Sequence, residues 1–133
     1  IAKIVGFFPG HPVIRTMPNT PLAVGAGMTA IAPGTGVTPE MLAAANTIFS
    51  CCGETLQIEE KDIEAVTAVS GCGPGYVYVL IDALADAGVM AGLPRAAAIR
   101  LAAQTFAGVG NRQSSCGLTG YGDVSRRHDH CRH

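Results

Sequence analysis

Tryptophan is absent from this chain of 133 residues, and aromatic side chains make up only 5% of it. Stacking platforms for unpaired bases are therefore scarce. Charge is scarce as well: 14% of residues are Asp, Glu, Lys or Arg, the net charge is −1, and no basic stripe precedes the last few residues. That balance argues against an electrostatic grip on nucleic acid. No C-x-x-C pair occurs among the five cysteines, Cys51, Cys52, Cys72, Cys116 and Cys131, so neither a zinc ribbon nor a dithiol redox centre is expected. Adjacent Cys51 and Cys52 are expected to pack as small apolar groups, and a reducing, cytoplasmic compartment fits. The chain opens with no charged segment followed by an apolar run, so no signal peptide is expected. Its most apolar stretch, Val77 to Met90, carries Asp82 and Asp86 one helical turn apart. This predicts a helix buried in a large core or an intersubunit one rather than a membrane span.

Apolar residues, by contrast, reach 48%. The length suits one domain with a real core, and the excess of apolar over charged residues implies surface meant for another subunit. A short helix ending near Phe8 is followed by Val13–Met17, a β-branched strand broken by Pro18-Asn19-Thr20-Pro21. Gly27–Ala32 reads as a second strand. Thr38 caps a helix that starts at Pro39, runs through Leu42, Ala45, Ile48 and Phe49, and is stopped by Gly53. A third strand covers Thr55–Ile58, with too few partners in view to close a sheet. Beyond Glu59 the pattern is helical only, with one helix over 61–70 and a second over 74–91. Gly92-Leu93-Pro94 leads into a third from Arg95 to about Ala107, its apolar face formed by Ile99, Leu101, Ala102 and Phe106, with Arg95 and Arg100 outside.

Between the first two of these helices lies Ser70-Gly71-Cys72-Gly73-Pro74-Gly75-Tyr76. Pro74 suits the first turn of a helix, where its missing N–H is not needed. Glycines admit a close neighbour, backbone or ligand. Spacing alone fits a kink between helices. The residues on either side suggest more. Arg15-Thr16-Met17-Pro18-Asn19-Thr20-Pro21, then Ser70–Tyr76, then Asp82-Ala83-Leu84-Ala85-Asp86 with Gly92-Leu93-Pro94-Arg95 resemble, in order and spacing, three motifs of the pyrroline-5-carboxylate reductases. The family usually has R-x-M-P-N-T-P, S-G-S-G-P-A-Y and D-A-x-A-D-x-x-V-x-x-G-L/M-P-R. Cys72 and Gly75 depart from it, both by small residues. The likeness covers Ile1 to about Gly110.

This resemblance implies an α/β N-terminal remnant, residues 1–58, forming the last part of a Rossmann domain. Residues 59–110 would be the first part of an all-helical dimerisation and substrate domain. It implies reduction of 1-pyrroline-5-carboxylate to L-proline with NADPH or NADH in the intact enzyme, with Met17, Pro18 and Asn19 on the nicotinamide side and Ser70, Gly71, Cys72, Gly73 and Pro74 at the substrate. A homodimer or higher homo-oligomer, in the cytoplasm and without membrane or nucleic-acid partners, follows from the same likeness. No catalytic acid or base is assigned. Asp82 and Asp86 read as a solvated or subunit-facing stripe, Arg95 and Arg100 as helix-surface charges. The G-x-G-x-x-G loop that would take the cofactor pyrophosphate is absent, so this chain by itself is expected to be inactive. Two alternatives are a non-catalytic helical oligomerisation fragment and a reductase of a related imine or ketone.

Residues 111–133 have a different character. The family continues with a His-Pro pair and an S-P-G-G-T-T loop, and neither is written here. Yet Ser114 to Arg127 can be encoded so that the frame one base later reads H-P-A-A-L-R-D-M-V-T-S-P-G-G, and T-T-I-A-G follows through Arg132. The tail is expected to be an out-of-frame, disordered translation of the family's substrate loop. His128, His130, Cys131 and His133 crowd into one run, unlike the two separated pairs a tetrahedral ion needs, and no metal site is expected there.

Overall fold

The computed structural model describes residues 1–113; its last helix runs on to Gln113, past the end expected near Ala107 and three residues into the expected tail, and the expectations beyond Gln113 fall outside the described residues. Elements follow the order α1 (Ala2–Phe7), β1 (Ile14–Pro18), β2 (Gly27–Pro33), α2 (Pro39–Ser50), β3 (Gly53–Gln57), α3 (Ile63–Val66), α4 (Gly73–Met90) and α5 (Arg95–Gln113). Two compact units divide at Tyr78, inside α4.

In the first unit the three strands find their partners in one another. β2 is central, antiparallel to β1 and parallel to β3. A parallel neighbour needs a crossover, and α2 provides it. Thr38 caps α2 as expected, its Oγ1 accepting the Met41 N–H at 3.4 Å, with Pro39 in the first turn. Thr29, Ala30, Ile31 and Ala32 of β2 are all buried, as is Ile63 of α3, which packs on that strand. A central strand covered on both faces accordingly reads as a continuous small and apolar run.

Gly53 acts differently from the sequence expectation. α2 ends at Ser50, and Gly53 is instead the first residue of β3, with φ +143°. It pairs in register with Gly27, and a Cβ on Gly53 would lie 2.0 Å from the Gly27 carbonyl oxygen. The parallel pair starts where two backbones nearly touch. Cys51 also departs from its expected packing: it is exposed, its thiol donating to the Thr47 carbonyl, whereas Cys52 is half-buried.

In the second unit α4 and α5 form a hairpin. Gly92, at φ +97°, ends α4 with two capping bonds: its N–H donates to Val89 O at 2.9 Å, and the Leu93 N–H to Gly88 O at 3.0 Å. Ala85, Ala98 and Ala102 make the buried contact, with Ile81 packed against it. The expected face of Ile99 and Leu101 is turned the other way, and both are exposed. Within one chain α4 leaves its large side chains uncovered: Val79, Leu80 and Leu84 are exposed, and Met90 is 90% exposed. Small residues let the two helices approach, leaving the large apolar ones outside. By length and composition alone, the helical stretch Glu60–Met90 could cross a membrane.

Candidate active site

The helix expected over 61–70 and the break after it are one continuous helical path with a change of pitch. A 3-10 turn (Glu60–Asp62) feeds α3, and Thr67–Gly71 form a π-turn that runs directly into α4. The Cys72 N–H reaches back five residues to Thr67 O at 2.8 Å, and Thr67 Oγ1 donates to Ile63 O at 2.7 Å. Single π-turns inside helices occur often at functional sites. Here the turn brings Ser70 and Gly71 to the end of β1.

The two segments named from the sequence meet there. Asn19 follows β1 in an extended conformation. Its Oδ1 accepts the Met28 N–H at 2.9 Å, which fixes the amide orientation because that partner can only donate. Nδ2 then faces Ser70, donating to its carbonyl oxygen and to its Oγ, each at 3.3 Å. Met17 lies over Gly71, where a Cβ would sit 2.9 Å from Met17 Cε and 3.3 Å from Thr67 Cγ2. Of the remaining candidates, Pro18 is exposed at the strand end opposite Thr29, and Cys72 is exposed on the π-turn. Gly73 and Pro74 are half-buried at the start of α4, and a Cβ on Gly73 or Gly75 would meet nothing within 4 Å. The glycines thus divide: Gly71 admits Met17, whereas Gly73 and Gly75 leave room in front of the helix start.

One carboxyl outside the site, that of Glu40, is held below the usual carboxylate range by the side chain of Thr38. In the second unit Asp82 and Asp86 are indeed a surface pair, but a paired one. Arg95, from the start of α5, bridges both carboxylates with its two terminal nitrogens. Sequence reading placed all three charges outside and missed the contact, although the spacing of D-x-x-x-D on one helix and an arginine just past the turn was there to see. All three groups stay largely exposed, so the clamp orders the hairpin more than it stabilises it.

Comparison with known proteins points to the same family. Residues 60–119 match the family model described as pyrroline-5-carboxylate reductase dimerisation. A pyrroline-5-carboxylate reductase of Synechocystis is 57% identical over 108 residues, covering 81% of this chain and 40% of the relative. One from Arabidopsis thaliana is 47% identical over 104 residues, covering 78% and 38%. Among solved structures, the Plasmodium falciparum pyrroline carboxylate reductase with NADP bound matches with a TM-score of 0.80 at 36% identity, over 88% of this chain and 48% of that one. The Coxiella burnetii pyrroline-5-carboxylate reductase matches with a TM-score of 0.82 at 28% identity, over 90% and 45%. The chain therefore spans less than half the length of these relatives. Its motifs, its sheet and helices and its sequence are those of a stretch of the pyrroline-5-carboxylate reductases.

Proposed function

We propose that the protein this chain represents reduces 1-pyrroline-5-carboxylate to L-proline with NADPH or NADH, as a soluble cytoplasmic enzyme of proline biosynthesis. The observation that carries this reading is the meeting of Met17 and Asn19 with Ser70 and Gly71, two segments 51 residues apart that belong to separate family motifs. Residues 1–58 are the last part of the cofactor domain and 59–110 the first part of the dimerisation and substrate domain. Met17, Pro18 and Asn19 form the nicotinamide side; Ser70, Gly71, Cys72, Gly73 and Pro74 form the substrate side.

The dinucleotide supplies the hydride. A protonated cyclic imine is already electrophilic, so the protein's task is chiefly to hold donor and acceptor in contact. The open space in front of Gly73 and Gly75, at the beginning of α4, leaves room for a small substrate. No G-x-G-x-x-G lies in this sequence to take the pyrophosphate, so full cofactor affinity has to come from residues outside it.

The exposed apolar side chains of α4 and α5 support a homodimer, as does the open recess along α5 lined by Ala97, Arg100, Leu101, Ala103, Gln104 and Ala107. The same surface favours a second reading, self-association without catalysis. Growth complementation separates the two. Residues 1–110 would replace the corresponding stretch of the Synechocystis relative in a proline-requiring strain that lacks its own reductase. Growth without proline is expected; a chimera that is produced, folds and dimerises yet does not support growth leaves only the second reading. The tail from residue 111 is read out of frame, and sequencing the coding DNA decides it. The frame one base later should spell the S-P-G-G-T-T loop, and any other product there contradicts the proposal.

A further inference from the structure

Pro74 has no N–H to return to the carbonyl of Ser70, the residue four positions back that an α-helical Pro74 would otherwise serve. The next donor along the chain is engaged elsewhere, since the Gly75 N–H donates to Cys72 O at 3.0 Å. Asn19 Nδ2, from the far side of the sheet connection, donates to that Ser70 carbonyl instead, while Asn19 Oδ1 accepts from Met28 at the start of β2. A single side chain thereby joins the exit of β1, the beginning of β2 and the π-turn. Met17 against Gly71 closes the same joint on its apolar side. We propose that Asn19 is a positioning residue: it supplies the hydrogen bond that Pro74 withholds, and so sets the nicotinamide-side segment against the substrate-side turn. Nδ2 is engaged with Ser70, and Oδ1 keeps one lone pair beyond the bond from Met28. The inference rests on the functional reading above for what the two segments face, but not for the joint itself.

The test is a double-substitution cycle on the full chain, read by amide hydrogen exchange at Ser70–Cys72 and Met28 and by the methyl resonance of Met17. No ligand enters the measurement, so its failure is distinct from an inactive chimera. Asn19→Ala should speed exchange at both places by about tenfold and shift the Met17 methyl signal. Asn19→Asp keeps an acceptor for Met28 but has no donor for the Ser70 carbonyl; read in a Ser70→Ala chain, where no hydroxyl can donate to the new carboxylate, Met28 should stay protected while the π-turn opens. Pro74→Ala restores an N–H four residues after Ser70. In that background Asn19→Ala should cost the π-turn less than about half as much, on a logarithmic scale, as it does alone. A π-turn that Asn19→Asp leaves unchanged in the Ser70→Ala chain, or strict additivity of Asn19→Ala with Pro74→Ala, would overturn the proposal. Should Asn19→Ala fail to fold, exchange at the π-turn of Asn19→Asp in the Ser70→Ala chain decides the matter by itself.

Discussion

Valine at position 53 is expected to unfold the first unit. The Gly53 φ of +143° is one that L side chains rarely adopt, and a Cβ there would lie 2.0 Å from the Gly27 carbonyl oxygen and 2.5 Å from its nitrogen. Both atoms are backbone of the central strand, so neither can swing aside, and the parallel pairing of β2 with β3 has to open. Strained backbone costs roughly 1–3 kcal/mol, and overpacking adds roughly 1–3 kcal/mol more. A loss of about 4 kcal/mol is a large share of the roughly 5–15 kcal/mol that holds a domain together. Gly36 is the control: its φ is also positive, +80°, but a Cβ there meets nothing within 4 Å. Gly36→Ala should therefore cost only about 1 kcal/mol. Urea unfolding followed by circular dichroism separates them, and equal midpoints for Gly53→Val and Gly36→Ala would show that the Gly27 contact carries no weight.

The second large effect is on assembly. Leu80 and Leu101 are 53% and 58% exposed in one chain, on helices whose own packing uses only alanines and Ile81. Burying each leucine against a second copy is worth about 1.5–3 kcal/mol, and glutamate in its place would also have to be desolvated. The double substitution Leu80→Glu with Leu101→Glu should weaken self-association by at least about a hundredfold, measured by sedimentation equilibrium. The hairpin should keep its helicity, because the contact of Ala85 with Ala98 and Ala102 and the Arg95 bridge are untouched. Unchanged association would place the subunit contact elsewhere.

Strands were legible because β-branched runs ended at proline or glycine, as at Met17-Pro18 and Ala32-Pro33-Gly34. Their pairing was not, since register depends on neighbours that a linear pattern does not name. Gly53 was misread for a related reason: a glycine just after a helix usually caps it, and only the approach of Gly27 reveals the strand entry. For α4 the apolar pattern left open whether burial is within the chain or between subunits, because periodicity does not say which chain supplies the cover. In this hairpin the buried positions are the small ones, Ala85, Ala98 and Ala102, and the large apolar side chains are exposed. For the site, residue types and spacing by themselves fitted only a turn and a kink, and the segments 17–19 and 70–74 were named through the family resemblance. That Asn19 reaches the Ser70 carbonyl was hidden by their separation of 51 residues, although Pro74 had already announced a carbonyl in need of a donor.

The most direct measurement is the steady-state reduction of 1-pyrroline-5-carboxylate by the purified chimera carrying residues 1–110 within the Synechocystis relative, followed as NADPH oxidation and as L-proline formed. With 57% identity over the matched stretch and the joint of Met17, Asn19, Ser70 and Gly71 intact, kcat/KM should fall within about tenfold of the parent, a barrier change under about 1.4 kcal/mol. A folded, dimeric chimera that oxidises no NADPH with this substrate would contradict the assignment.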